Sequence, residues 1–307
     1  MSKTETNQIV VSKSKEAIQN FENYLTNYEK KVLPNLLEKH NIAPSQFVQV
    51  VLSEIKKNEK LLQAFMENPS SMFASILAGA EVGLIPSDML GEFYLIPRNV
   101  KQSDGKYKMS VTPLIGYKGL INVLLRSGDV AKIHTEVVYA NDEFNAIYGL
   151  EPNIIHKPNF DSERTAKNIT HAYAVAKMKN GEYQFAVMTR KEIETVRSMS
   201  KYENDLYFND KMGINRWMER KVVLTQLAKM LPKDYYSKKA ISMDGMMDSG
   251  AMLTLDENNQ IKIVESTTSS KSSKFRNIYG TLNAPTIPEP NRTEPNKDDD
   301  LLIDNAE

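Results

Sequence analysis

The apolar residues of this chain change their period near Gly83, and that change limits the possible folds more than any other feature of the sequence. Between Lys13 and Ala80 they recur at helical spacing, as in Phe47, Val51 and Ile55 and again in Met72, Phe73, Ile76, Leu77 and Ala80. Several helices are predicted there. Pro44 suits a helix start, Ser70 or Ser71 an N-cap, and Gly83 with Pro86 beyond it a stop. Past Gly83 the pattern turns to strands. Gly91–Pro97 and Lys106–Pro113, where Tyr107, Met109 and Val111 alternate with polar residues, flank Ser103-Asp104-Gly105 and read as a hairpin. A short helix over Gly119–Ser127, closed by Gly128, leads to a strand at Val130–Tyr139. His171–Met178 and Glu182–Met188 surround Asn180-Gly181, the dipeptide of a tight two-residue turn. Thr189 and Glu192 form a capping box opening a helix at Arg190. Asn215–Leu231, closed by Pro232, reads as the longest well-defined helix, about 25 Å if fully formed. The expected class is α+β, with N-terminal helices, a small antiparallel sheet with hairpins, and a long basic C-terminal helix of the core.

After about Ser242 the residues are mostly Ser, Thr, Asn, Pro and acidic types, with too few large apolar groups to offset the entropy of ordering. The expected division is a core over residues 1–240 and a flexible acidic tail over 241–307. No repeat of 20 to 50 residues is visible, which argues against a solenoid. There is no run of 18 apolar residues and no long apolar segment in the first 20, so neither membrane insertion nor export is expected, and the cytoplasm is. The absence of cysteine excludes disulfides, thiolate catalysis and cysteine-based zinc sites.

A formal net charge of zero argues at first against a polyanion ligand, but the charge is unevenly placed. Residues 1–240 hold 33 Lys and Arg against 27 Asp and Glu, whereas 241–307 hold 6 against 12. Arg190–Lys239 alone carries 12 cations and 7 carboxylates, and phosphate contacts are expected near there. No G-x-x-x-x-G-K-[ST] segment occurs, and Gly116-Tyr117-Lys118-Gly119 lacks both its length and its hydroxyl, so a nucleotide-driven motor is not expected. His40, His134, His156 and His171 lack metal-ligand spacing and are given packed or surface roles, so no metal site is assigned. Scattered carboxylates such as Glu92, Asp129 and Asp142 leave a metal-dependent nuclease open, since such sites need no local motif.

Gly83–Arg126 interleaves aromatic and basic residues: Tyr94, Arg98, Tyr117, Lys118 and Arg126. Exposed rings stack on any base while neighbouring cations hold phosphates, which is how single strands are bound without sequence preference. The competing reading makes Tyr94 and Tyr117 half-buried sheet residues. On the long helix Lys221, Thr225 and Lys229 share one stripe, with Trp217 one turn before Lys221, and Arg216 and Arg220 form another. The stripes lie on different sides, so both meet one phosphate row only if DNA wraps the helix or a second subunit contributes. Trp217 reads either as a core anchor beside Leu224, Leu227, Ala228 and Leu231 or as a stacking platform. Lys191 and Arg197 are candidates from local charge alone. The acidic run Asp298–Asp300 before Leu301-Leu302-Ile303 is solubilising by default; it also suits docking on a basic partner or competition with DNA.

Gly83-Leu84-Ile85-Pro86, Gly91-Glu92-Phe93-Tyr94-Leu95-Ile96-Pro97-Arg98 and Pro113-Leu114-Ile115-Gly116-Tyr117-Lys118-Gly119-Leu120-Ile121 resemble the RecT-type phage recombinases, in the same order. The likeness continues through Arg126-Ser127-Gly128, Asn141-Asp142, His171–Ala176 and Arg220–Pro232, over roughly residues 20 to 235. The resemblance implies an ATP-independent protein, not an enzyme, that anneals complementary single strands and is related to the wider Redβ-like superfamily. It implies rings or helical filaments on DNA, a 5′-to-3′ exonuclease partner, and a bacterial host cytoplasm. A host single-strand-binding protein is a further partner to be weighed, and Mg²⁺ enters only as an effector acting through DNA. Arg98, Lys221 and Lys229 fall in the matching basic motifs, followed by Arg216, Arg220, Lys118 and Arg126. A passive single-strand coat and a nuclease are the rival readings.

Overall fold

The computed structural model describes residues 3–101, 105–199, 207–212, 216–248 and 250–264. Five helices come first: α1 (Lys3–Lys31), α2 (Leu33–Leu37), α3 (Pro44–Lys57), α4 (Glu59–Glu67) and α5 (Pro69–Glu81). Their apolar stripes meet in a core that includes Phe21, Phe47, Val51, Ile55 and Met72. Phe73 stacks on Phe21 and Tyr28 at 5.6 and 5.1 Å between centroids. The N-cap of α5 is Asn68, not Ser70 or Ser71. Its side chain accepts from the Ser71 amide, and Pro69 takes the first helical position. The serines serve instead as backbone partners across the fold.

Two antiparallel strands follow, β1 (Phe93–Lys101) and β2 (Tyr107–Ile115), paired from Phe93↔Ile115 to Lys101↔Tyr107. The hairpin is as the alternation predicts; Ser103 and Asp104 of its turn lie outside the described residues. Ser71 Oγ accepts from the Val111 amide at 3.0 Å, and Ser75 Oγ lies 3.2 Å from the Val111 carbonyl. Buried α5 thus satisfies the strand it covers.

Helix α6 (Tyr117–Arg126) leads into β3 (Val130–Tyr139), and then β4 (Glu143–Ile147) and β5 (Asn153–Lys157) form a separate two-stranded hairpin. Strands β6 (Ile169–Met178) and β7 (Tyr183–Thr189) complete an antiparallel sheet of order β3-β6-β7. The loop at Asn180-Gly181 is one residue longer than predicted. The Met178 amide bonds to the Glu182 carbonyl, and only Gly181, at φ 92°, is left-handed. That is the three-residue hairpin closed by a glycine bulge. The capping box stands: the Thr189 amide donates to Glu192 Oε2 at 2.7 Å and the Glu192 amide to Thr189 Oγ1 at 3.3 Å, opening α7 (Arg190–Met199).

Helix α8 (Trp217–Met230) lies on this sheet, its buried Val223, Leu224, Leu227 and Ala228 meeting the alanine row Ala172, Ala174 and Ala176 of β6. The core does not stop at residue 240. Helix α9 (Tyr235–Asp248) runs through that boundary, and β8 (Met252–Leu255) pairs with β9 (Ile261–Val264) against α5. Ser70 Oγ accepts from the Leu255 amide at 2.8 Å, and Leu253 is buried. A tail can therefore begin only after residue 264; residues 265–307, with the acidic run, lie outside the described residues.

Candidate nucleic-acid interface

The loop before β1 and the first turn of α6 interlock. The Gly116 amide donates to the Glu92 carbonyl at 2.8 Å, and Asn122 Nδ2 donates to Glu92 Oε1 at 2.8 Å. A β-carbon at Gly116 would strike the Gly91 carbonyl, and one at Gly119 the Glu92 carbonyl, so both positions require glycine for close approach. The two sequence motifs are thus one structural unit, and it brings Tyr94 and Lys118 together over Gly91. Tyr94 is half-buried; burial, with Asp88 nearby, holds its hydroxyl above the usual phenol range.

Helices α6 and α8 begin side by side. Their first residues, Tyr117 and Trp217, are in tilted ring contact at 5.4 Å, and Tyr117 Oη hydrogen-bonds to Thr135 Oγ1 of β3 at 2.6 Å. Neither helix has a side-chain N-cap. The first turn of α8 carries the buried Glu219, whose carboxylate accepts from the Phe208 amide, whereas α6 starts from Gly116. Trp217 is 41% exposed, so it is neither a closed core anchor nor a free-standing platform. Arg220, one turn on, forms an ion pair with Glu136 of β3. Tyr94, Tyr117 and Trp217 with Lys118 and Arg220 thus occupy the junction of β1, β3, α6 and α8, which places three partly exposed rings beside two cations.

The other candidates lie elsewhere. Lys221 is 7% exposed and its ammonium sits 2.8 Å from Asp244 of α9, so the stripe it shares with Thr225 and Lys229 faces inward. Thr225 Oγ1 donates back to the Lys221 carbonyl, and Lys229, whose pKa is lowered by burial, donates to Gln226 Oε1 at 3.0 Å. All three line a cavity of about 80 Å³ together with Asp244. Asp244, in the part of α9 read as tail from the sequence, pairs with Lys221, while Met188, Val196 and Tyr207 line the cavity beside Thr225 and Lys229. Arg216 is 5% exposed and bonded to Asp210 and Tyr139, a loop brace rather than a surface cation. Arg126 closes the far end of α6, donating to the Val82 carbonyl at 2.7 Å and to His40 Nδ1 at 3.0 Å. Lys191 and Arg197 stand on α7, and half-buried Arg98 lies mid-strand opposite Ser110.

A further exposed ring with cations beside it lies outside the sequence-predicted set. At the distal end of the β1–β2 hairpin Lys101 pairs across from Tyr107 and Val100 from Lys108, and Tyr107 is 67% exposed. In the sequence Tyr107 stands out only through the strand alternation. The nuclease carboxylates are not assembled: Glu92 holds Asn122, Asp129 lies in the turn before β3, and Asp142 is bound to His156 and Arg164. Burial pushes the Asp142 pKa up, but bonds from the Tyr139 and Asn159 amides, His156 and Arg164 outweigh it and bring it to about 2. Among the described residues no group of three or more His, Asp or Glu is placed to hold a metal ion, and no helix is long and apolar enough to cross a membrane.

Residues 45–263 match the sequence model of the RecT family. The chain is 35% identical over 218 residues to Protein RecT of Escherichia coli strain K12, which covers 70% of this chain and 76% of that protein.

Proposed function

The chain belongs to the RecT family, and on that premise we propose that it binds single-stranded DNA and anneals complementary strands without a nucleotide cofactor. The observation that carries the reading is the convergence of the uncapped starts of α6 and α8, with Tyr117 against Trp217 and Lys118 and Arg220 beside them. Amides at the start of α6 and the cations hold one strand by its phosphates, while Tyr117 and Trp217 offer faces to unstacked bases. Arg220 exchanges the Glu136 carboxylate for a phosphate, since both anions present a pair of oxygens to the guanidinium fork. Bases kept accessible then pair with an incoming strand. Pairing and stacking supply on the order of 1.4 kcal/mol per step, so annealing needs no hydrolysis and Mg²⁺ acts only through the DNA.

We further propose that copies of the chain assemble along the strand in the bacterial cytoplasm, receiving it from a 5′-to-3′ exonuclease and meeting the host single-strand-binding protein there. The test uses labelled complementary oligonucleotides with no nucleotide present, together with the emission of Trp217, the one tryptophan of the chain. Faster duplex formation and a change in tryptophan emission on adding a single strand are expected. Protection without acceleration would mean a passive coat, and Mg²⁺-dependent shortening of the label would mean a nuclease.

A further inference from the structure

The segment between α5 and β1 ends in a tight loop whose exposed tip is apolar. Met89 is 86% exposed and Leu90 43%, and neither is part of the core. A lone exposed apolar side chain carries little information, since protein surfaces hold many. This pair is set apart by how it is held and by what stands beside it. The Gly91 amide donates to the Ser87 carbonyl at 3.1 Å, which encloses Asp88, Met89 and Leu90 in one turn, and the Ser87 amide donates to the Phe93 carbonyl at 3.1 Å. Pro86 and Phe93, both buried, bridge at the base of the loop, and Gly91 turns the chain at φ 69°. The tip is thus fixed before any ligand arrives, and little ordering cost remains.

The loop adjoins the cluster of rings and cations. A β-carbon on Gly91 would lie 3.3 Å from Tyr94 Oη and 3.5 Å from Lys118 Cδ, and the Gly91 carbonyl packs against Gly116 at the start of α6. Leu90 and Met89 therefore stand one and two residues from the point where Tyr94 and Lys118 meet. The one charged residue between Ser87 and Gly91 is Asp88. A carboxylate there repels phosphate, so a strand held by Lys118 turns its bases toward the tip and keeps its backbone away. Methionine and leucine are among the side chains that proteins insert between base steps. The thioether of methionine also makes favourable contacts with aromatic rings.

We propose that Met89 and Leu90 form an apolar wedge that enters between two neighbouring bases of the bound single strand and opens that step of the stack. The inference rests on the single-strand reading above and adds where the strand's own stacking is broken. The wedge replaces a base–base contact with contacts to two apolar side chains, while the cations keep the backbone in place. A strand divided in this way offers its complement short runs of bases instead of one continuous coil. No base edge is hydrogen-bonded, so the wedge responds to how readily a step unstacks and not to which base it is. Thymine tracts, which stack weakly, accept it more readily than adenine tracts.

The test compares the unaltered full chain with Met89→Ser plus Leu90→Ser, a change at exposed positions whose circular dichroism should match. Both are added to saturation to adenine-tract oligonucleotides carrying 2-aminopurine at several positions, a base whose emission rises when it unstacks. The unaltered chain is expected to raise the emission, and the serine variant to lose about half of that rise or more. Preference for thymine over adenine tracts should shrink in the variant, while the dependence of affinity on salt stays the same because no phosphate contact is lost. Met89→Leu with Leu90→Met, which keeps the tip apolar, should restore the rise. A serine variant that opens the stack as the unaltered chain does, a weaker salt dependence in that variant, or an exchange variant that behaves like it would each overturn the proposal. Binding by the unaltered chain with no rise in emission overturns the wedge and leaves the single-strand reading standing; no binding at all removes both.

Discussion

At the scale of single residues, a cation's neighbours decide its role more than its spacing does. Lys221 is on the expected helix and in the expected stripe, yet its ammonium is enclosed with Asp244. Removing one partner of a buried pair strands the other charge, and Asp244→Ala is expected to cost about 3–5 kcal/mol in urea unfolding. Lys221→Met with Asp244→Leu should be near neutral and should keep annealing within about twofold; loss of annealing in that folded double variant would return Lys221 to the DNA surface. His40 gives a pH prediction of the same kind. Arg126 only donates, so His40 Nδ1 accepts and Nε2–H donates to the Glu81 carbonyl at 3.0 Å, which requires the neutral ring. Burial first, then the Arg126 charge, lowers its pKa below 6.5 against the opposing pull of Glu81. The unfolded chain takes up the proton first, so this stabilisation is complete above the ordinary value and declines as pH falls toward the lower folded one. Urea midpoints at about pH 7.5 and 5.5 should therefore fall further apart for the unaltered chain than for His40→Gln. Equal declines would remove the assignment.

At the scale of elements, what was legible followed the strength of the local pattern. The β1–β2 and β6–β7 hairpins, the capping box and the core helix of residues 217–230 all carry periodic or turn signals that packing does not override. The β4–β5 hairpin was missed because its alternation is weak: Ile147 and Ile155 face outward, where polar residues are expected. The end of α9 and the β8–β9 hairpin fall in the expected tail because their apolar residues sit in short segments among Asp, Asn, Ser and Gly. Their order comes from long-range partners, Lys221 to Asp244 and Ser70 to Thr254 and Leu255, which no window of sequence contains. The interface was half legible in the same sense. Tyr117, Lys118, Trp217 and Arg220 were all named, but that α6 and α8 start side by side depends on tertiary packing. The glycine contacts of α6 make that packing testable. Gly119→Ala forces a methyl onto the Glu92 carbonyl and should destabilise by about 1–3 kcal/mol. The same shift moves Tyr117 and Lys118, so single-strand affinity should fall along with the unfolding midpoint. A variant that loses stability while binding DNA as before would separate the α6 start from the interface.

At the scale of the whole molecule, zero net charge conceals a chain whose first 240 residues hold six more cations than carboxylates and whose last 67 hold six fewer. The described residues reach Val264 and the family match ends at residue 263, so the boundary at 240 drawn from charge falls inside both. Many of the basic residues of the core are already spent on carboxylates and helix ends, as Lys221, Arg216 and Arg126 are. The number of phosphates neutralised should therefore be much smaller than the number of cations. Salt dependence measures that number directly, because the slope of log affinity against log salt for a single strand is roughly −0.7 per phosphate contact. Lys118→Ala should make the slope shallower by about 0.7, and Arg220→Ala by somewhat more, because freeing Glu136 adds a repulsion whose screening by salt flattens the slope further. Lys221→Met with Asp244→Leu should leave the slope unchanged, and so should Arg126→Ala once its lower stability is allowed for. If instead Arg126→Ala flattened the slope as much as Lys118→Ala does, the strand would have to run the length of α6, and the junction of the two helix starts would be one end of the interface instead of its centre.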